Sequence, residues 1–563
     1  MSRLARCTIA LVVLSLGACQ VGERSSSSDS SSAPSHPAAE TVNLTFTYGS
    51  EKEEWIKNVT EAFNREDHKT AAGKFVHVEA FPMGSGELID ELLNGGRQAD
   101  IASPASAAFI KLGNVQSRVK TGKDLIGSTD SLVLSPVVIA MWKPMAEALG
   151  WPAKSVGWSD ILALARDSRG WAAHGHPEWG PFRFGHTSPE SSNSGLISIF
   201  AEAYAATGKK AGLTVAEVEN PKTAQFIAGI ESSVVHYGSS TGFFGKKMFA
   251  NGPQYLSAAV LYENMVIESY SPNYSMPFPV VAIYPKEGTF WSDHPVGIVN
   301  REWVTQEKQQ AAKVYIDYLL AKPQQEKAIP YGFRPGSTEV PLAAPIDGAH
   351  GVDPREPKTT LEVPAPEVMD VILKIWHANK KHADVALVFD TSGSMKDDHK
   401  IENAREGALQ LISNLSDDDV FTLLPFSNQP QFAVKHVALS SGRASVQQSI
   451  GGLWPSGGTA LYDAIDMAYR DQMAATEKDS GKIAAIVVLT DGEDRDSHMS
   501  LDDLLKEIQF DNEHHTVRVF TIAYGSDARK DVLKRIADAT QAKSYEGTPQ
   551  NIRTILRDIS TFF

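Results

Sequence analysis

The sequence predicts an α/β protein whose last third or so is a doubly wound, mostly parallel sheet, preceded by a longer region of strand–helix alternation. Three observations predict it. Val385-Ala386-Leu387-Val388-Phe389 is an unbroken apolar run, as expected of a parallel strand buried on both faces. Ile483–Leu489 is a second such run. Around them apolar residues recur at helical spacing, as at Ala404, Ala408, Leu411, Ile412 and Leu415. Both strands end in oxygen-rich turns, Asp390-Thr391-Ser392-Gly393-Ser394 and Thr490-Asp491-Gly492, and open α/β sheets place ligands at such carboxyl ends.

At 563 residues the chain is too long for one core. Its composition, 42% hydrophobic and 21% charged, is that of globular protein. A formal net charge of -15 argues against a general nucleic-acid binder, which carries a basic face.

The first segment reads as a targeting sequence. Arg3 and Arg6 form a basic start, and Ile9–Leu16 is apolar but too short to span a bilayer. Leu16-Gly17-Ala18-Cys19 then resembles a bacterial lipobox. That resemblance implies a signal peptide over residues 1–18, lipid on Cys19 and a membrane anchor in the cell envelope. Gln20 in the second mature position implies the outer membrane, by the sorting rules of enteric bacteria. Cleavage removes Cys7, so no disulfide framework is expected. It also takes Lys+Arg from 53 to 51 against 68 Asp+Glu, a mature charge of about -17. Residues 19–40, with the serine run Ser25–Ser32, form a flexible tether.

Residues 41–345 form the next expected domain. Val42–Thr47 alternates as a strand, Gly49-Ser50 turns into a helix over Glu51–Phe63, and Phe75–Phe81 is a second strand. Met83-Gly84-Ser85-Gly86 leads into a helix over Glu87–Leu93, and Ala99–Ser103 is a short apolar run ending in a polar turn. These small hydroxyl residues at strand ends resemble the ligand turns of type II periplasmic solute-binding proteins. The resemblance implies two lobes with a cleft between them. Leu132–Trp142 would be the first crossing, Val280–Tyr284 on through Val299 the return, Gly185–Gly195 the second lobe's ligand loop, and Gly332–Gly336 the closing turn. The implied ligand contacts are Ser50, Ser85, Ser103, Ser191, Ser194, Tyr262 and Glu263. Each serine is also suited to cap a helix. Hydroxyls at helix N-termini favour an anion, whereas Glu263 with Trp55, Tyr237, Phe243, Phe244, Tyr255 and Tyr262 suits a cation or an organic solute equally well.

Residues 346–380 are expected to join the domains, through a Pro-, Ala- and Gly-rich stretch and a helix over Pro366–Asn379 with Val368, Val371, Ile372 and Ile375 on one face. From 381 to 563 the alternation resumes: helix Ile401–Leu415, strand Val420–Phe426, an edge strand over Gln431–Leu439, helix Leu461–Met473 after the loop Ser456-Gly457-Gly458-Thr459, strand Ile483–Leu489, then Leu501–Ile508, Val517–Ala523, Val532–Ala539 and Asn551–Ile559 as helix, strand, helix and helix. Asp390, Ser392, Ser394, Thr459 and Asp491 are hard oxygen donors suited to Mg²⁺, Mn²⁺ or Ca²⁺. In chain order they resemble the metal-ion-dependent adhesion site of the von Willebrand factor type A family. That resemblance implies direct metal contacts from Ser392, Ser394 and Thr459, with Asp390 and Asp491 acting through water. The ion is then short of negative charge and takes a partner's Asp or Glu. It also implies that the last helix, Asn551–Phe563, shifts when the site binds.

His174-Gly175-His176, His514-His515 and Asp417-Asp418-Asp419 read as solvated loops and turns, and Asp397-Asp398 as a solvated face beside the metal loop. No catalytic motif is present, so no enzyme is expected. The expected function is a lipid-anchored envelope binding protein that meets a protein partner through its metal and a small solute in its cleft. The alternative is the substrate-binding lipoprotein of an ABC-type transporter with the last domain as docking module; a weaker third is an assembly factor.

Overall fold

Alternation of apolar and polar residues carries the first strand, where Val42, Leu44, Phe46 and Tyr48 all point into one core. The computed structural model describes residues 40–478, 481–509, 517–540, 542–560 and 562. The signal segment, Cys19, the tether through residue 39 and His514-His515 lie outside the described residues. Among the described residues, no helix is long and apolar enough to cross a membrane.

The first lobe begins with β1 (Thr41–Gly49), α1 (Glu53–Arg65), β2 (Phe75–Met83), α2 (Ser85–Asn94), β3 (Ile101–Ser103), α3 (Ala107–Thr121) and β4 (Ile126–Ser131). The chain then crosses on β5 (Val133–Trp142) into α4 (Lys143–Ala148), α5 (Trp158–Arg166), β6 (Phe184–Thr187), α6 (Asn193–Thr207), α7 (Val215–Val218), α8 (Pro221–Glu231), β7 (Val234–Gly238), α9 (Thr241–Asn251), β8 (Ala258–Tyr262), α10 (Glu263–Glu268), β9 (Val280–Ile283) and β10 (Trp291–Ser292). It returns on β11 (Pro295–Val299) to α11 (Gln306–Leu320), α12 (Lys322–Ala328) and β12 (Arg334–Pro335). The first sheet has the order β2-β1-β3-β11-β4 and the second the path β10-β5-β8-β6-β7, with β9 and β12 on β5. Both crossings fall where the sequence predicts them. They run side by side, the Leu132 N–H donating to the His294 carbonyl.

Residues 343–380 are packed along their length. Ile346, Val352 and Leu361 are buried, and the Ala282 N–H donates to the Gly351 carbonyl. α13 (Pro366–Asn379) starts at a proline, whose missing N–H costs nothing in the first turn. It lays Val368, Met369, Ile372 and Trp376 against the second lobe, touching α6, α7 and α8.

The last domain follows as β13 (Ala383–Asp390), α14 (Lys400–Asn414), β14 (Val420–Phe426), β15 (Val434–Ala438), α15 (Leu439–Gly451), α16 (Leu461–Lys478), β16 (Ile483–Thr490), α17 (Leu501–Glu507), β17 (Arg518–Tyr524), α18 (Lys530–Ala539), β18 (Ser544–Gly547) and α19 (Ile552–Ser560). The sheet order is β15-β14-β13-β16-β17-β18, parallel except for the edge strand β15. Strand alternation divides the core in two. Val385, Leu387 and Phe389 belong with α14, α15 and α19, whereas Ala386 and Val388 belong with α16 and α18. Two elements differ from expectation. α15 has a mostly polar sequence with few core contacts, Leu439, Val446 and Ile450. β18 is a four-residue edge strand that follows β17 only by register.

The last domain grips both lobes. Arg557 on α19 lies 3.7 Å from Glu87 and from Glu91 on α2. On the other lobe, the Lys247 ammonium donates to the Ala542 carbonyl at 3.1 Å, and Phe243 meets Phe562 edge to face. Because Trp376 is 2% exposed and packs edge-on against Tyr237, Trp376→Ala is expected to cost about 3–5 kcal/mol through cavity formation. Calorimetric unfolding of the full chain checks it: the lobe transition should fall in temperature.

Candidate functional site

The metal loop is built from the buried carboxylate outward. Asp390 ends β13 with no solvent exposure. One of its oxygens accepts from the Ser392 N–H at 2.7 Å, the other from the Thr490 hydroxyl at 2.5 Å. Burial pushes its pKa up to about 6. The Ser392 and Ser394 hydroxyls lie 3.1 Å apart, and Ser394 donates to Asp491 at 2.7 Å. Asp491 is also fully buried, and its second oxygen accepts from the Lys400 ammonium at 2.7 Å. Burial disfavours the charge on Lys400, but Asp491 outweighs it and raises the pKa.

Thr459 comes from the neighbouring loop. A Cβ at Gly492, the residue after Asp491, would sit 3.5 Å from the Thr459 hydroxyl oxygen. The Gly393 N–H donates to the Gly457 carbonyl, tying the two loops together. Gly457 takes φ +81, and a Cβ there would meet the Asn428 side chain at 2.2 Å, so only glycine fits. Two acids hold this loop to the one after β16: Asp496 accepts from the Thr459 N–H at 2.6 Å, and Asp494 from the Leu461 N–H at 2.8 Å.

The five expected residues are thus gathered at the carboxyl ends of β13 and β16, with oxygen as their donor atom. Cis ligands of an octahedral Mg²⁺ ion stand about 3 Å apart, which the Ser392–Ser394 separation matches. The donor set therefore fits a hard divalent ion. Lys400 was not foreseen, because it lies on a helix with no motif around it. Trp454 was not foreseen either. It stands 73% exposed on the loop that carries Thr459.

The second group of expected residues is distributed along the seam between the lobes. Ser103 is fully buried at the end of β3, and its hydroxyl has no hydrogen-bond partner among the described residues. The same holds for the Thr47 hydroxyl on the adjacent strand and for the His294 Nε2 atom. Ser50 accepts from the Gly242 N–H across the seam, and the Ser191 carbonyl accepts from the Gly86 N–H. Ser85 accepts from the Ala105 N–H inside the first lobe. Ser194 bonds Thr187 and Thr241 within the second. The Tyr262 hydroxyl accepts from Asn193, whose side-chain oxygen accepts from Ser106 of the first lobe.

Glu263 is placed differently from expectation. Its carboxylate accepts from the Nε and one terminal nitrogen of Arg334, at 2.7 and 2.6 Å, and from the Tyr284 hydroxyl. A buried carboxylate needs such partners, and here they leave no oxygen for a solute. Phe243 and Tyr255 face the last domain, where Lys543 and Arg518 lie over their rings. The seam instead holds an unforeseen ionic cluster of Glu51, Lys52 and His294, all buried. Lys52 donates to Glu51 at 2.8 Å and lies 3.1 Å from His294 Nδ1.

Burial, aided by the Lys52 charge, lowers the His294 pKa to about 4. A neutral histidine therefore contributes stability fully above about pH 6.5, which is lost as pH falls from there to about 4. The loss amounts to roughly 3 kcal/mol. His294→Gln should flatten the denaturant-measured stability of the first domain over that pH interval relative to wild type; equal slopes would contradict the assignment.

The comparisons with known proteins agree with this geometry. Residues 44–334, more than half of the chain, match the family described as bacterial extracellular solute-binding protein. Residues 384–556 match the von Willebrand factor type A domain. An uncharacterised protein of Synechocystis sp. is 28% identical over 184 residues, covering 32% of this chain and 42% of its own. Inter-alpha-trypsin inhibitor heavy chain H4 of Sus scrofa is 26% identical over 172 residues, covering 29% of this chain and 18% of its own. The chain thus spans less than half the length of these curated relatives. Among solved structures, a periplasmic thiamin binding protein aligns at 15% identity with a TM-score of 0.42, over 60% of this chain and 96% of its own. A von Willebrand factor type A protein from Catenulispora acidiphila aligns at 22% identity with a TM-score of 0.28, over 32% of this chain and 42% of its own. Both domain types are non-catalytic binding folds. The chain belongs to the bacterial extracellular solute-binding protein family and carries a von Willebrand factor type A domain behind its solute-binding domain.

Proposed function

We propose that this is an envelope protein, anchored by lipid on Cys19, that captures a protein partner through a divalent ion at Ser392, Ser394 and Thr459, with Asp390 and Asp491 behind them. The observation that carries the reading is the continuous chain of contacts from Asp390 through Ser392 and Ser394 to Asp491. Mg²⁺ is the ion we assign, Mn²⁺ and Ca²⁺ having the same oxygen preference. When bound, it supplies a positive centre for a carboxylate from the partner.

The residues of this chain set the strength of that attraction. Asp390 and Asp491 bring two negative charges, and Lys400 cancels one of them through its 2.7 Å contact with Asp491. A divalent ion then leaves a net positive site, which favours an incoming Asp or Glu. Trp454 supplies an apolar anchor at the rim, since exposed Trp is enriched among residues that dominate binding energy. The bilobal domain accompanies this with a small solute at the seam, held by the hydroxyls of Thr47 and Ser103.

The second reading, substrate delivery to a transporter with the last domain as docking module, draws on those two buried, unpartnered hydroxyls. It expects one small molecule to bind the full mature protein tightly and Ser103→Ala to weaken it, with partner capture unaffected.

The deciding experiment is capture from solubilised envelopes by the full mature protein, wild type against Asp390→Ala, with Mg²⁺ and with chelator. The expected result is a partner retained only by wild type with Mg²⁺, with affinity lower by roughly 2–5 kcal/mol in the variant. Trp454→Ala should weaken the same partner about tenfold with Mg²⁺ binding unchanged. Identical capture in all conditions would overturn the metal reading.

A further inference from the structure

A second cluster of metal-binding side chains lies in the second lobe. His186 on β6, Glu202 on α6 and Glu231 at the end of α8 are each fully buried in the second lobe. One ligand atom from each falls within 4.8 Å of the others. Glu202 accepts from the Ser198 hydroxyl through one oxygen, while its other oxygen has no partner among the described residues. Two carboxylates share this pocket with one imidazole, an arrangement that must be balanced by protons or by a bound cation.

The imidazole is oriented for the task. His186 Nδ1 lies 2.7 Å from the Thr187 carbonyl, an atom that can only accept, so Nδ1 carries the proton. Nε2 then presents its lone pair, yet it sits 2.9 Å from a Glu231 oxygen. Lone pair and carboxylate repel, so either a proton is shared at this contact or a metal ion, with the oxygen drawn slightly aside, takes its place. An N–H donated to a backbone carbonyl is how metal-bound histidines are held, with the opposite nitrogen free for the ion. Glu231 is fixed in turn by the Tyr237 hydroxyl, which donates to its other oxygen at 2.6 Å. A tetrahedral zinc ion holds its ligands roughly 3.4 Å apart, so the His186–Glu231 contact opens slightly to admit it, with Glu202 as the third ligand within the 4.8 Å span of the cluster.

We propose that His186, Glu202 and Glu231 form a buried site for one divalent transition-metal ion, with zinc the best match to a His and two carboxylates. The position suggests what the ion steadies. Tyr237 packs against Trp376 of α13 and hydrogen-bonds the backbone of Lys381, just ahead of β13. The ion therefore pins the second lobe at the point where the chain leaves for the last domain.

The test uses the full mature chain carrying Asp390→Ala, which removes the ion at the sheet's carboxyl edge from the measurement. Elemental analysis after purification without chelator should find one zinc per chain. Adding Glu202→Gln, nearly isosteric, should lower zinc affinity by more than the roughly 10–100-fold that outer-sphere partners alone contribute. Cobalt substitution in the Asp390→Ala chain gives a readout independent of how the second variant folds: visible ligand-field absorption is expected. Absence of both tight zinc and cobalt absorption would overturn the proposal and leave the cluster as a proton-sharing network. Partner capture plays no part in these readouts, so this inference stands or falls separately from the adhesion reading.

Discussion

Asp390 is a carboxylate placed where water cannot reach it, at the end of the strand in the middle of the last sheet. Such a group is costly unless every oxygen finds a donor. The loops around it are arranged to meet that demand: a backbone N–H from its own turn, a hydroxyl from β16, and beyond them Ser394, Asp491 and Lys400 in sequence. The requirement is cooperative. Removing one member leaves a neighbour unpaired in a region of low dielectric. The site therefore depends on the register of β13 against β16, which pairs Phe389 with Leu489 and so sets Asp390 beside Thr490.

This explains why the gathering of these oxygen donors was legible from the chain alone. Its residues lie in three short segments, each at the end of an apolar run, and local sequence determines where a strand stops. Lys400 was not legible. It reaches Asp491 across 91 positions, and nothing near it distinguishes it from any surface lysine. The same limit applied to Glu263, whose partner Arg334 lies 71 positions away; only the fold shows that the carboxylate is already engaged. Ser85 and Ser194 illustrate the ambiguity of serine, since both satisfy polar atoms within their own lobe. Among the elements, β18 and α15 escaped notice because short edges and polar helices carry weak periodicity.

The seam shows another principle. Pattern suggested hydroxyls as the polar lining, and several are there. The dominant charges are Glu51, Lys52 and His294, inside a stretch that reads as an ordinary helix start and a loop. Lys52 has no exposure at all; burial disfavours its charge and Glu51 favours it. Ionic groups enclosed in this way add little net stability, because desolvation offsets their attraction.

The contacts of the last domain with α2 on one lobe and α9 on the other have a mechanical consequence. The domain spans the two lobes like a caliper. A rotation that separates the lobes also separates α2 from α9, so either the Arg557 contacts with Glu87 and Glu91 or the Lys247–Ala542 and Phe243–Phe562 contacts must slip. The work of breaking one grip is added to the opening equilibrium. α19, which holds the first grip, packs along α14, the helix that begins at Lys400. Load on the jaws is thus carried by a helix packed on the one whose first residue, Lys400, contacts Asp491.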